Sequence, residues 1–146
     1  MISMGVSIFL LQKGKRKVEF WEDLFSFHTA MKSACTYRKS IMKLIDEFQC
    51  RKEFATVLES VKRQIVSGDE VSVDQEQLNE SQISEINTYF SGITAINQFH
   101  QDDFFKNYEI TFDKWKKQEQ ETYEKCKKTY LKLGFLFGLI LLIIVI

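Results

Sequence analysis

Apolar residues recur along most of the chain at intervals of three and four, the spacing that puts side chains on one face of an α-helix. Between Val18 and Ala34, Phe20, Leu24, Phe27 and Met31 keep that interval, and Trp21, Phe25 and His28 widen the stripe, so a long helix is expected. A second helix is predicted from Tyr37 to about Phe48, with Ile41, Leu44, Ile45 and Phe48 on one side. A third, Lys52 to Val66, carries Phe54, Val57, Leu58, Val61 and Ile65. It stops at Ser67-Gly68, where glycine suits the left-handed turn that closes many helices.

Residues 69–80 are acidic and weakly periodic, which predicts a linker or a marginal helix. Ser81 stands where an N-cap would, and the helix behind it carries Ile83, Ile86, Tyr89, Phe90 and Ile93, with Gly92 near its end. From Gln101 the spacing returns at Phe105, Tyr108, Phe112 and Trp115. It lapses over the polar stretch Lys116 to Thr122, expected to face water on all sides, and resumes at Tyr123, Cys126, Tyr130 and Leu133. Glu121 with Lys125 and Glu124 with Lys128 are i, i+4 pairs in the favourable orientation, each contributing about 0.2–0.5 kcal/mol. With no proline, and no glycine between Gln101 and Gly134, the longest helix and the apolar tail are expected to form one rod.

Both ends of the chain are apolar. Leu133 to Ile146 has no polar side chain and, at about 1.5 Å per residue, spans roughly 21 Å against a hydrocarbon core of roughly 30 Å. Tyr130 and Leu131 extend it, and Lys132 can snorkel. Gly134 and Gly138 form a GxxxG, a spacing that lets two membrane helices approach closely; the plainer explanation is that glycine is common in such helices. Met1 to Leu11 is apolar apart from Ser3 and Ser7, yet too short to cross a bilayer. Four readings stand for it: a monotopic anchor, one half of a hairpin with the tail, a span cut short by a misplaced start, or packing onto the bundle. The expected organisation is a short N-terminal apolar segment at 1–12 acting as a partial membrane anchor, a helical bundle at 13–132, and a C-terminal transmembrane segment at 133–146. The fold class is all-α, an antiparallel bundle of five or six helices with a membrane-embedded C-terminal helix.

Composition agrees: 146 residues with 45% hydrophobic and 14% aromatic content suffice for one core, and the absence of proline favours helices. Charge adds direction. The net charge is zero, but Lys13, Lys15, Arg16 and Lys17 follow the first apolar segment, and Lys125, Lys127, Lys128 and Lys132 precede the last, leaving residues 18–124 at −8. Basic collars beside apolar segments mark the side that is not translocated, which places the body in the cytoplasm at a cell membrane. Within the body, residues 32–63 carry +4 and residues 69–113 carry −9, a polarity suited to steering between subunits. Arg38, Lys39, Arg51 and Lys52 form the candidate partner surface. Nucleic acid is a poor partner for an acidic body whose basic collars already have a use at the lipid bilayer.

No chemistry competes with this. Cys35, Cys50 and Cys126 are odd in number and form no CxxC, so reduced thiols are expected. The chain has no Gly-rich phosphate loop, HExxH or GxSxG, and His28 and His100 lie in different segments. His28 reads as a core-edge residue. His100 with Asp102 and Asp103 reads less as a metal site than as carboxylates in a first helical turn, where they offset the macrodipole. No catalytic residue, metal or cofactor is expected, and the chain is not expected to be an enzyme.

The closing run, Lys128, Tyr130, Leu133-Gly134-Phe135-Leu136 and Gly138 followed by aliphatics, resembles that of the stage III sporulation protein AB family, and Phe90, Asn97 and Gln101 resemble its upstream signature. The resemblance implies a fold similar to the cytoplasmic domain of the type II secretion inner-membrane platform protein. It also implies a non-enzymatic part of a secretion-like channel complex in the mother-cell membrane around the forespore. Its partners would be a cytoplasmic ATPase and other membrane subunits of the channel. A generic tail-anchored adaptor that recruits a soluble protein is the alternative.

Overall fold

The structure, a computed structural model, describes residues 2–36, 41–70, 72–73, 75, 78–95 and 101–146. Five helices account for most of these: α1 (Ile2–Thr36), α2 (Ile41–Glu47), α3 (Lys52–Ser67), α4 (Glu80–Ala95) and α5 (Gln101–Val145). There is no strand among the described residues. The all-α expectation holds, with five helices. The N-terminal apolar segment and the first amphipathic stretch form one continuous helix of 35 residues.

The aromatic stripes of α1 and α5 face each other and make the core. Trp21, Leu24 and Phe27 are fully buried, as is Phe112, with Phe20, Met31 and Phe105 almost as deep. From α3, Phe54 packs edge-on against Phe20 at 5.5 Å, and from α4, Tyr89 meets Phe112 at 4.8 Å. Burying each such side chain contributes roughly 1.5–3 kcal/mol, so the core is carried mainly by aromatic area. Helices α1 and α5 run antiparallel: His28 bonds the backbone at Phe105, Trp21 touches Phe112 and Trp115, Lys17 reaches Glu119, and Tyr123 lies 3.3 Å from the point where a Cβ on Gly14 would stand. Moving down one helix therefore means moving up the other, nearly residue for residue.

Local chemistry sets the helix ends. Gly68 caps α3 with φ 76°, and its N–H and that of Asp69 return to Ile65 and Gln64, the left-handed closure its sequence predicts. At α4 the cap is Asn79 and not Ser81, which lies inside the helix. Asn79 Oδ1 accepts from the Gln82 backbone N–H at 2.8 Å while Gln82 Oε1 accepts from the Asn79 N–H at 3.1 Å, a reciprocal capping box. Ser81 was the less suitable candidate because no Glu or Gln stands three residues beyond it.

The acidic segment before α4 is neither free linker nor helix where it is described. Val73 and Leu78 are buried in the core. The Gln64 side chain brackets Ser72, donating to its carbonyl at 2.9 Å and accepting from its N–H at 2.7 Å, while the Asn87 side chain accepts from the Val73 N–H at 2.6 Å. Of its described acidic residues, Asp69 and Glu70 are exposed, on a segment that two apolar residues pin down.

One close approach requires glycine. A Cβ on Gly92 would lie 2.6 Å from the Phe104 ring, which is stacked on Tyr89 and packed on Tyr108. Alanine gains about 1 kcal/mol in helix propensity but overpacks by about 1–3 kcal/mol. Gly92→Ala is expected to lose on the order of 1 kcal/mol net, and Gly92→Val more, read as lower urea midpoints in detergent micelles. A stabilised Gly92→Ala would show that the Phe104 ring yields without cost.

Candidate functional site: the apolar tail and the polar seam above it

Helix α5 is 45 residues long and unbroken, as expected from the absence of proline and internal glycine upstream of Gly134. Its first half is part of the bundle. Its end is bare: from Leu133 to Ile146 every residue is exposed, Phe135 at 72% and Ile143 at 75%. This is the one helix among the described residues that is long and apolar enough to cross a membrane. A large apolar surface left entirely uncovered calls for lipid or another helix. Gly134 and Gly138 have nothing within 4 Å of an added Cβ, so the GxxxG spacing meets no partner among the described residues.

Above the tail, the polar stretch does not face water on all sides as its composition suggests. Glu119 is 9% exposed and sits in a seam between three helices. Its Oε1 accepts from Gln82 Nε2 of α4 at 2.9 Å and lies 3.3 Å from Lys17 Nζ of α1. Gln82 is fully buried, and its oxygen is already held by the α4 cap, which fixes the amide so that its NH2 points at Glu119. The signal was present in the sequence. Continuing the spacing from Trp115 lands on Glu119 and then on Tyr123, so the stripe runs on through a charged residue and does not lapse.

The basic residues divide into two groups. Lys13, Lys15, Arg16, Lys125, Lys127, Lys128 and Lys132 are exposed, whereas Lys17 is half-buried and engaged with Glu119. Lys15 pairs loosely with Glu19 at 3.9 Å. Among the described i, i+4 ion pairs, Lys15–Glu19, Lys43–Glu47 and Asp113–Lys117 are closed, and Glu121–Lys125 and Glu124–Lys128 are not. Of the candidate partner surface, Arg38 and Lys39 lie outside the described residues. Lys52 is exposed in the first turn of α3. Arg51 is spoken for: its guanidinium donates to the Glu19 carbonyl at 3.1 Å, to Glu22 at 3.4 Å and to Asp23 at 3.3 Å, tying the start of α3 to α1. Burial pushes the Asp23 carboxyl above its ordinary range despite that arginine.

His28 is at the centre of the core and not at its edge. It is 1% exposed and surrounded by the rings of Tyr89, Phe105 and Phe112. Nε2–H donates to the Phe105 carbonyl at 2.9 Å, because a carbonyl can only accept; Nδ1 therefore accepts from the Tyr89 hydroxyl at 3.0 Å. Both ring nitrogens are used, which leaves neither for a ligand. Burial holds the imidazole below its usual 6.5, against the smaller pull of the Phe105 carbonyl and Glu109. The unfolded chain thus takes up a proton where the folded chain does not, so stability falls as pH drops below about 6.5, by at most about 1.4 kcal/mol per unit. Urea midpoints should decrease from pH 7 to pH 5.5, roughly the window above carboxylate titration. His28→Gln should flatten that slope, and an equal slope in the variant would remove His28 as its source.

The remaining candidate chemistry does not converge. No cluster of three His, Cys, Asp or Glu able to hold a metal occurs among the described residues. Asp102 and Asp103 lie in the first turn of α5 as expected, while His100 is outside the described residues. Cys126 is an exposed free thiol; Cys50 is half-buried and its thiol is pushed up by burial and by Asp23. The side chain of Cys35 is outside the described set. Phe25, Lys32, Asp102, Lys106, Glu109, Ile110 and Asp113 line an open groove between α1 and α5.

The arrangement is a bundle, a rod that leaves it, and an exposed apolar end. Comparison with protein families, with curated proteins and with solved structures gives no match.

Proposed function

We propose that the chain is a non-enzymatic assembly subunit, fixed to a cell membrane by the end of α5 with its bundle on the cytoplasmic side. We assign it to a secretion-like channel complex of endospore formation, where it works with a cytoplasmic ATPase and other membrane subunits. The observation that carries the anchoring is the continuity of α5: a helix whose upper half is core and whose lower end is wholly exposed and apolar. The basic residues just above that end support the cytoplasmic orientation. The assignment to the sporulation complex rests on the resemblance of the closing run from Lys128 to Gly138, with Phe90, Asn97 and Gln101 upstream.

The test has two readings. The intact chain should stay with membranes through an alkaline wash, and Leu139→Arg with Leu142→Arg should release it to the soluble fraction with its helical content kept. Retention of that variant would sink the anchor. Solubilised from sporulating cells, the chain should co-purify with a secretion-type ATPase, and reversing Lys39 and Lys52 should reduce that yield. Arg51 must be left alone, because it holds α3 to α1. Gly134→Leu with Gly138→Leu should lose the membrane subunits and keep the bundle folded. Recovery of an unrelated soluble protein and no ATPase would favour the tail-anchored adaptor.

A further inference from the structure

Near the N-terminal end of α1, apolar side chains have no cover among the described residues. Val6, Ile8, Phe9 and Leu10 are 46–64% exposed, although they belong to the same helix as the fully buried Trp21 and Leu24. Its other side is used. Ser7, Leu11, Gly14 and Val18, spaced four, three and four, are the less exposed positions, and Tyr123 and Tyr130 are the matching half-buried residues of α5. The two helices thus continue side by side below the bundle, with Gly14 and Tyr123 in close contact.

That pairing fixes the height of the exposed patch. His28 lies beside Phe105, Trp21 beside Phe112 and Trp115, Lys17 beside Glu119 and Gly14 beside Tyr123. Extended by the same residue-for-residue antiparallel step, Val6 to Leu10 come level with about residues 127–131 of α5, since two helices share one rise per residue. The patch therefore lies just above Leu133, where the uncovered apolar tail begins, and beside Lys127, Lys128 and Lys132. Lys13, Lys15 and Arg16 follow it on the bundle side.

Apolar side chains at the level of lysines fit neither water nor hydrocarbon alone. They fit the boundary between them, where the apolar groups enter the acyl region and ammonium groups reach anionic headgroups. We infer that Val6, Ile8, Phe9 and Leu10 form a second lipid contact, a shallow foot at the headgroup-to-acyl boundary of an anionic bilayer, held at that depth by the pairing of α1 with α5. The contact is continuous with the tail and rests on the anchor reading above. It differs from a second span in that its depth is set by the register of the two helices.

Depth-dependent quenching tests it. Phe9→Trp and, separately, Phe137→Trp are placed in the full chain in vesicles containing phosphatidylglycerol, with the unsubstituted chain supplying the background of Trp21 and Trp115. Both phenylalanines are more than 60% exposed, so neither change disturbs the core. Lipids brominated near the headgroup should quench the tryptophan at position 9 about twofold more than lipids brominated near the chain end, as expected of an interfacial contact. The tryptophan at position 137 should show the reverse order. Position 9 unquenched by either lipid, with position 137 quenched deeply, would overturn the foot and leave the anchor standing. Deep quenching at both positions would overturn the foot in favour of a hairpin. An unquenched position 137 would overturn the anchor and the depth derived from it together.

Discussion

Phe112→Ala is expected to destabilise the bundle by about 3–5 kcal/mol, the largest effect of any single truncation here, because it empties a fully enclosed site. Phe112 is fully buried and is touched by four aromatic neighbours from three helices: Trp21, His28, Tyr89 and Tyr108. Those rings are themselves packed on others, so the hole cannot collapse without moving α1 against α5. Denaturant unfolding of the micelle-bound chain measures it, and Phe112→Leu should cost less, on the order of 1–2 kcal/mol, since more of the volume is kept. Phe135→Ala provides the contrast. It removes the same side chain from the same helix, but at 72% exposure and away from the core, and should leave the bundle midpoint unchanged. A similar loss at both positions would mean that the tail packs on the bundle.

The second large effect is at the polar seam. Glu119→Ala leaves the fully buried Gln82 amide without its acceptor and Lys17 without its carboxylate, at an expected cost of about 2–3 kcal/mol. Lys17 is partly exposed and can turn to water, so most of that cost falls on Gln82. Glu119→Gln keeps an acceptor for Gln82 and should lose roughly half as much, since a neutral hydrogen bond is about half as strong as a charge-assisted one. Gln82→Ala removes the capping box as well, so the double variant with Glu119→Ala should fall short of the sum of the two. Strict additivity in that cycle would show that the cap and the seam are independent and that the shared amide is incidental.

The contrast between those two residues indicates what could be read from the sequence. Phe112 was legible because Tyr108, four residues before it, and Trp115, three after, continue the apolar stripe, and α1, α3, the Gly68 closure and the unbroken α5 followed from equally local signals. Glu119 stands on the continued spacing, but a charged residue there reads as solvent-facing until its partners are known, and those stand on α1 and α4. His28 shows the same limit. Its place beside the stripe was visible, but its depth depends on a hydroxyl from Tyr89 and a carbonyl from Phe105, 61 and 77 residues away. Arg51 looked available for a partner because the acidic group it meets, Glu22 and Asp23, belongs to another helix. In each case apolar periodicity is a property of one segment, whereas the pairing of polar groups is a property of the assembled bundle.

The unbroken α5 has a consequence for force. A helix of 45 residues is about 68 Å long, and without a proline or a break in its helical run it has no sharp kink over that length. By the register above, α1 runs beside it from Phe105 to about Tyr130, so the bundle and the proposed anchor form one lever with no joint between them. Membrane helices commonly tilt by about 20°, and a change of about 10° at the lipid end would swing the Gln101 end by roughly 12 Å. Under the proposed function, a reorientation of the tail within the membrane would therefore arrive at the Gln101 end as a displacement several times larger than the movement that caused it.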